Sequence, residues 1–265
     1  VERQRMIKVL VGAAVGVALV LGSVSIQANE LAEGENLNAD ITLKTTNTAL
    51  LNTEVSAKSM SQLIMDIENL PDKTVYLFIQ SPGGSVDAGL GFIQYLSSTD
   101  KHVVCVADYA ASMAFAILQA CHTRVGMSNS VLMQHNVSFG LRHGPLPNQL
   151  SLIELIRAEE LVLDSGQSRR IGISLSDFRK KVRDDYWIYG NSNLEQGIVD
   201  SMQTVACSSE LRAVEIDKKV QSFLGTVDVT FSGCPLISYP VKISNGKFRL
   251  SRQYTTKAIK LINRR

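Results

Sequence analysis

Residues 74–120 read TVYLFIQSPGGSVDAGLGFIQYLSSTDKHVVCVADYAASMAFAILQA, and this stretch decides the fold. TVYLFIQ, 74–80, is a continuous apolar run of strand length, the kind covered on both faces. SPGGSVDAG breaks it as a turn, and GLGFIQYLSS follows as a helix. KHVVCVAD repeats the strand. YAASMAFAILQA, rich in small residues, reads as a second helix, with Ser112 opening it after the strand. Strand, helix, strand, helix predicts an α/β domain with right-handed crossovers and a mainly parallel sheet.

The same pattern extends outward on both sides. AKSMSQLIMDIENL, 57–70, places Met60, Leu63, Ile64, Ile67 and Leu70 at helical spacing, and Pro71 ends it. DITLKTT and TALLNTEV before it are short strand-like runs. VLMQHNV, 131–137, is a third strand. Helices are expected over about 148–165 and 175–183, and EQGIVDSM, 195–202, closes the pattern. From Cys207 the texture changes: the charged SSELRAVEIDKK gives way to GTVDVTFSG, PVKIS and KFRLS, which alternate as strands do. Gly225, Gly233 and Gly246 are turn candidates there. Residues 207–265 therefore read as a small β-rich C-terminal extension.

The N-terminal segment reads differently. Arg3, Arg5 and Lys8 precede fourteen residues without a polar side chain, Val9 to Gly22, and SVSIQANE follows. Basic end, apolar middle and small-residue exit predict a secretory signal over 1–28, with Ala28 as the last residue removed. A retained membrane anchor is the alternative, since the apolar run reaches eighteen residues if extended to Ile26. Either reading puts the rest outside the cytoplasm, periplasmic or membrane-associated. Residues 29–40 are a polar linker.

Composition limits the function classes. The chain has 265 residues, 45% hydrophobic and 20% charged. That suffices for one sizeable core and excludes a multi-span membrane protein. The net charge of +2 hides an asymmetry: residues 1–28 carry +2 and 242–265 carry +8, leaving −8 for 29–241. The basic end suits anionic lipid or an acidic neighbour, with a solvated strand face as the alternative; nucleic acid is not expected. No two of Cys105, Cys121, Cys207 and Cys234 have CxxC spacing. Cys105 and Cys121 read as buried small hydrophobes, and Cys207 and Cys234 are a candidate disulfide in an oxidising compartment.

Three features lie at the carboxyl ends of the strands, where open α/β folds bind ligands, and a fourth follows in RDDYWIYG. Gly83 and Gly84 of the SPGG turn let the backbone approach a ligand and expose N–H groups; a plain tight turn is the alternative. Ser112 at a helix start can project a hydroxyl beside amides that favour negative charge, or simply cap the helix. His135 at the end of the third strand is a candidate general base, with His143 in the following loop as competitor; His102 and His122 read as solvent-facing. Asp185, beside Tyr186 and Trp187, is expected to be partly buried and to orient the histidine, with Asp184 as competitor. There is no GxxxxGK[ST], GxGxxG or GxSxG motif.

These motifs together resemble the ClpP family of serine peptidases, within the ClpP/crotonase-like fold. YLFIQSPGGSVDAG is similar to its strand and SPGG loop, YAASMAFAILQA to its nucleophile helix, NSVLMQHNV to its histidine strand, and ISLSDFRKKVRDDYWIYGNSNLEQGIVDSM to its final stretch. The resemblance covers roughly 41–203 and implies a peptidase domain over 41–206, built of stacked ββα units with a long handle helix within about 148–168. It implies Ser112 as nucleophile, His135 as base and Asp185, twelve residues before Gly197, as carboxylate. It also implies the backbone N–H groups of Gly84 and Met113 as the oxyanion hole. No metal or organic cofactor is expected. Substrates would be peptides or unfolded chains, and the partners copies of the chain, in stacked heptameric rings. The family usually has HQP where this chain has HNV, and Gly where it has Ala114. A secretory signal would separate the chain from ATP, so an unfoldase partner is not expected. A silent scaffold, a membrane-linked signal-peptide-peptidase-like protease and an acyl-CoA enzyme of crotonase type are the competing readings.

Overall fold

The computed structural model describes residues 39–140, 144–222 and 225–244. The expected signal or anchor and linker (except Ala39 and Asp40), His143, Gly246 and most of the basic end lie outside the described residues. The chain runs β1 (Ile41–Leu43), β2 (Thr48–Leu51), α1 (Ala57–Asn69), β3 (Thr74–Ser81), α2 (Val86–Leu96), β4 (His102–Ala111), α3 (Met113–Ala120) and β5 (Thr123–Gln134). It continues with α4 (Leu146–Ile171), α5 (Leu175–Val182), β6 (Tyr186–Tyr189), α6 (Ser192–Glu195), β7 (Ser201–Met202) and β8 (Val205–Cys207). The last elements are α7 (Ser209–Ala213), β9 (Glu215–Ser222), β10 (Gly225–Ser232) and β11 (Lys242–Ser244).

The main sheet has the order β2-β3-β4-β5-β6, with β7 paired to β5. The first four strands are parallel, and β6 is antiparallel to β5. Alternation along β3 sends Val75, Leu77 and Ile79 to the helix-covered face, where they meet Met60, Leu63, Ile67, Phe92, Phe115 and Phe178. Tyr76 and Phe78 go to the other face with Val104, Val106, Val125 and Met127, beneath Ile41, Leu43, Cys207, Leu211 and Cys234. Each large apolar side chain removed from water contributes about 1.5–3 kcal/mol, so both layers hold the sheet that carries the site. Helix α1 starts in a capping box, Ser56 with Ser59, and stops where Leu70 turns extended ahead of Pro71.

The structure departs from the sequence reading in several places. Tyr109, Ala110 and Ala111 are strand, not helix, because they pair with Val131, Leu132 and Met133; the helix starts only at Met113. Strand β5 begins at Thr123, before the expected 131. Helix α4 runs 26 residues to Ile171, past the expected 165, and ends at a left-handed Gly172. The charged stretch after Cys207 divides into α7, capped by Ser208, and β9, which pairs with β10. Cys207 and Cys234 are bonded, S–S 2.05 Å. Cys105 and Cys121, expected as buried hydrophobes, are buried but joined in a second disulfide. The apolar sequence around them conceals that β4 and the end of α3 bring their Cα atoms to 6.0 Å.

Candidate active site

The sheet register assembles the site. Ala111 at the end of β4 is level with Met133 on β5, and the Ser112 N–H donates to the Met133 carbonyl at 2.9 Å. Ser112 thus stands beside the end of β5, which His135 directly follows. Strand β6 runs antiparallel with Gln134 opposite Tyr186, so one more step places Asp185 beside His135. Two strand pairings therefore bring residues 112, 135 and 185 to one edge.

The contacts follow that placement. His135 Nε2 lies 2.8 Å from Ser112 Oγ. The hydroxyl makes no helix-cap hydrogen bond, so the capping alternative does not hold. His135 Nδ1 lies 4.0 Å from the Asp185 carboxylate. Asp185 is 63% exposed, not partly buried as expected, because Trp187 beside it also faces solvent. The competing Asp184 is taken by Arg183 at 2.8 Å. Of the other histidines, His122 Nδ1 accepts from the Val103 amide and His102 is 3.1 Å from Thr123, both away from Ser112.

Backbone geometry marks the same residues. Among the described residues, two that are not glycine have positive φ: Ser112 at 56° and Asp185 at 31°. Such conformations cost on the order of 1–3 kcal/mol and persist only where surroundings impose them. Gly83 and Gly84 supply part of that imposition. A Cβ on Gly83 would stand 2.5 Å from the Ala111 carbonyl oxygen and 2.8 Å from Ser112 Cβ. Gly84, at φ 145°, is bridged to Val55; Gly83 and Ser85 complete the pairing through Val55 N–H to Gly83 O, 2.7 Å, and Ser85 N–H to Val55 O, 2.8 Å. The loop is thereby wedged between the segment after β2 and the turn carrying Ser112.

Two residues absent from the sequence reading hold the backbone at the histidine and just after it. Gln134 is buried; its Oε1 accepts from the His135 amide at 3.0 Å, and its Nε2 donates to Gln167 of α4 at 2.5 Å. Glu160 of α4 accepts from the Val137 amide at 3.2 Å. A glutamine directly before the histidine was the available signal, but only α4 packing gives it meaning. Near Glu160, burial pushes the Asp164 carboxyl up, against the pull of Arg179 at 2.9 Å. No cluster of three His, Cys, Asp or Glu suited to a metal occurs among the described residues.

A hydroxyl in hydrogen-bond contact with an imidazole, whose other nitrogen faces a carboxylate, is the arrangement of a serine hydrolase. Comparison with known proteins carries this further. The Clp protease family model matches residues 15–206, and the chain belongs to that family. It is 27% identical over 147 residues to the ATP-dependent Clp protease proteolytic subunit of Borrelia garinii subsp. bavariensis, covering 54% of this chain and 75% of that one. It is 26% identical over the same length and shares to the ATP-dependent Clp protease proteolytic subunit 1 of Borreliella burgdorferi. Family and geometry together make this chain a ClpP-like serine endopeptidase with a Ser/His/Asp arrangement.

Proposed function

We propose that Ser112 attacks the carbonyl of a peptide bond while His135 takes the hydroxyl proton, that Asp185 stabilises the imidazolium, and that the Gly84 and Met113 amides hold the oxyanion. The acyl-enzyme on Ser112 is released when His135 draws a proton from water. The observation that carries this reading is the 2.8 Å contact between Ser112 Oγ and His135 Nε2, formed at a strained backbone position. Met113 opens α3, where the first amides have no intrahelical acceptor. Substrates are peptides or unfolded chains, with no cofactor required.

The setting is part of the same proposal. The basic and apolar N-terminal segment directs the chain out of the cytoplasm, and all four cysteines sit in disulfides, which suits an oxidising compartment. Outside the cytoplasm the chain works without an ATP-driven partner, unlike the relatives named as ATP-dependent. The chain self-associates, in rings of the family's heptameric kind, with α4 as the handle. Supporting this, α4 carries Leu146, Leu150, Leu155, Leu161 and Val162 exposed to solvent. The test is labelling of the folded chain by a fluorophosphonate, with native mass spectrometry on the same sample. Labelling of the wild type and none of Ser112→Ala is expected. A well-folded, assembled wild type that takes no label would point to a silent scaffold instead.

A further inference from the structure

The disulfide Cys105–Cys121 brackets the site. Cys105 lies in β4 seven residues before Ser112, and Cys121 caps α3 nine residues after it. We infer that Cys105 and Cys121 are positioning residues for Ser112, their bond closing a covalent ring through β4, the nucleophile turn and α3. The inference rests on Ser112 being the nucleophile, as proposed above.

The turn needs an external restraint. Ser112 holds φ 56°, ψ −123°, and relaxation of those angles would swing Oγ away from His135 Nε2. One flank is secure, since β4 is paired on both sides by β3 and β5. The other flank is α3, eight residues long and without a side-chain cap at its start. A helix this short is not stable by itself. Met113, Phe115, Ile117 and Leu118 bury its sides in the core, while its far end, at Ala120 and Cys121, is tied by the disulfide. The disulfide ties the far end of α3 to the strand that leads into the turn, so both flanks become one body.

The site leaves no slack against which the turn could adjust. A Cβ on Gly89 would stand 2.4 Å from the Met113 side chain, and one on Gly83 would stand 2.7 Å from the Met113 nitrogen. Packing thus confines the turn from the loop side, and the disulfide confines it from the core side. Cys121 also lines a groove of about 600 Å³ with Leu90, Ala116, Leu163 and Gly166. This gives a small reductant a route toward the bond.

The test uses the full chain and a fluorogenic peptide. In C105A/C121A, kcat and the rate of fluorophosphonate labelling should fall about 10²-fold, as for a reacting group displaced by about 1 Å, with KM nearly unchanged. C207A/C234A, remote from the turn, should keep wild-type kcat at a temperature where it is folded. A second arm leaves both residues in place. In the C207A/C234A background a water-soluble phosphine opens Cys105–Cys121. The phosphine takes oxygen from water and becomes its oxide, and the sulfurs take up two electrons and two protons as thiols. Mass spectrometry verifies the opening. Activity should fall on reduction and return on reoxidation, with circular dichroism unchanged. Unaltered kcat with the bond absent would overturn the inference, as would an equal loss in C207A/C234A before reduction. Failure of the oxidised wild type to label would instead overturn the reading of Ser112, and this inference with it.

Discussion

Replacing Asp185 by Asn tests how this site stabilises its histidine. The substitution keeps size and removes one negative charge. In the structure the carboxylate is 4.0 Å from His135 Nδ1, outside hydrogen-bond distance, so its contribution is Coulombic. Two unit charges at that distance attract by about 1 kcal/mol in water and about 4 kcal/mol at an effective dielectric of 20. Asp185 is 63% exposed and His135 31%, which places the pair toward the watery limit. A value of about 1–2 kcal/mol converts to a loss of about 5–30-fold in kcat. That is far below the roughly 10⁴-fold known for a buried, hydrogen-bonded carboxylate in the chymotrypsin-type triad. The assay is steady-state hydrolysis of a fluorogenic peptide at saturation, at low salt and again at about 1 M, where charges are screened beyond about 3 Å. Wild type should move toward D185N in salt, while D185N stays level. A loss beyond about 10³-fold, indifferent to salt, would refute the reasoning, since it requires a dry hydrogen bond to the histidine. A loss below twofold would remove Asp185 from the mechanism.

Gly84→Ala should lower kcat by about 10²–10³-fold, the effect of losing one oxyanion donor. The added Cβ would stand 2.3 Å from the Val55 carbonyl oxygen at φ 145°, so the loop must shift; an activity within threefold of wild type would count against Gly84 as donor. Asp200→Asn should destabilise by about 3 kcal/mol, because it leaves the Arg124 guanidinium buried without its anion, seen as a lower melting temperature at neutral pH. Burial alone would raise the Asp200 carboxyl, but Arg124 and Arg170 outweigh it and hold it below the usual carboxylate range. The wild-type stabilisation is therefore present above the unfolded carboxyl value of about 3.9 and lost as pH falls through the folded one. In D200N that acid limb should flatten, and equal acid limbs in the two proteins would contradict the assignment.

The strand and helix order around residues 74–120 was legible because β3 and β4 are apolar on both faces and the glycine turn stands between helix-period segments. The triad residue types were legible through motif order. The conformation that makes them work was not. Nothing in YAASMAF marks Ser112 as left-handed, and its small residues suit a helix as well as a strand; pairing with β5 decides for strand through Ala111. Asp185 was expected among aromatics, but alternation in β6 buries Ile188 and turns Trp187 outward, so the carboxylate is left exposed. Cys105 and Cys121 lacked any spacing signal, since their proximity is a property of the parallel crossover and not of the local sequence.

The glycines of SPGG are required for a reason other than the one their sequence suggests. Two glycines after a strand read as room for a ligand. In the fold, the space a Cβ of Gly83 would need is already filled by Ala111, Ser112 and Met113, and that of Gly84 by Glu54 and Val55. The loop is a wedge between two parts of the chain. The Gly83 contact presses on the turn that holds Ser112 at positive φ, so the loop and Ser112 are positioned by one packing event. A substitution at Gly83 therefore displaces the loop and the Ser112 turn at once. Double-mutant cycles between Gly83 and Ser112 are accordingly expected to be strongly non-additive, as they are for residues that act as a unit.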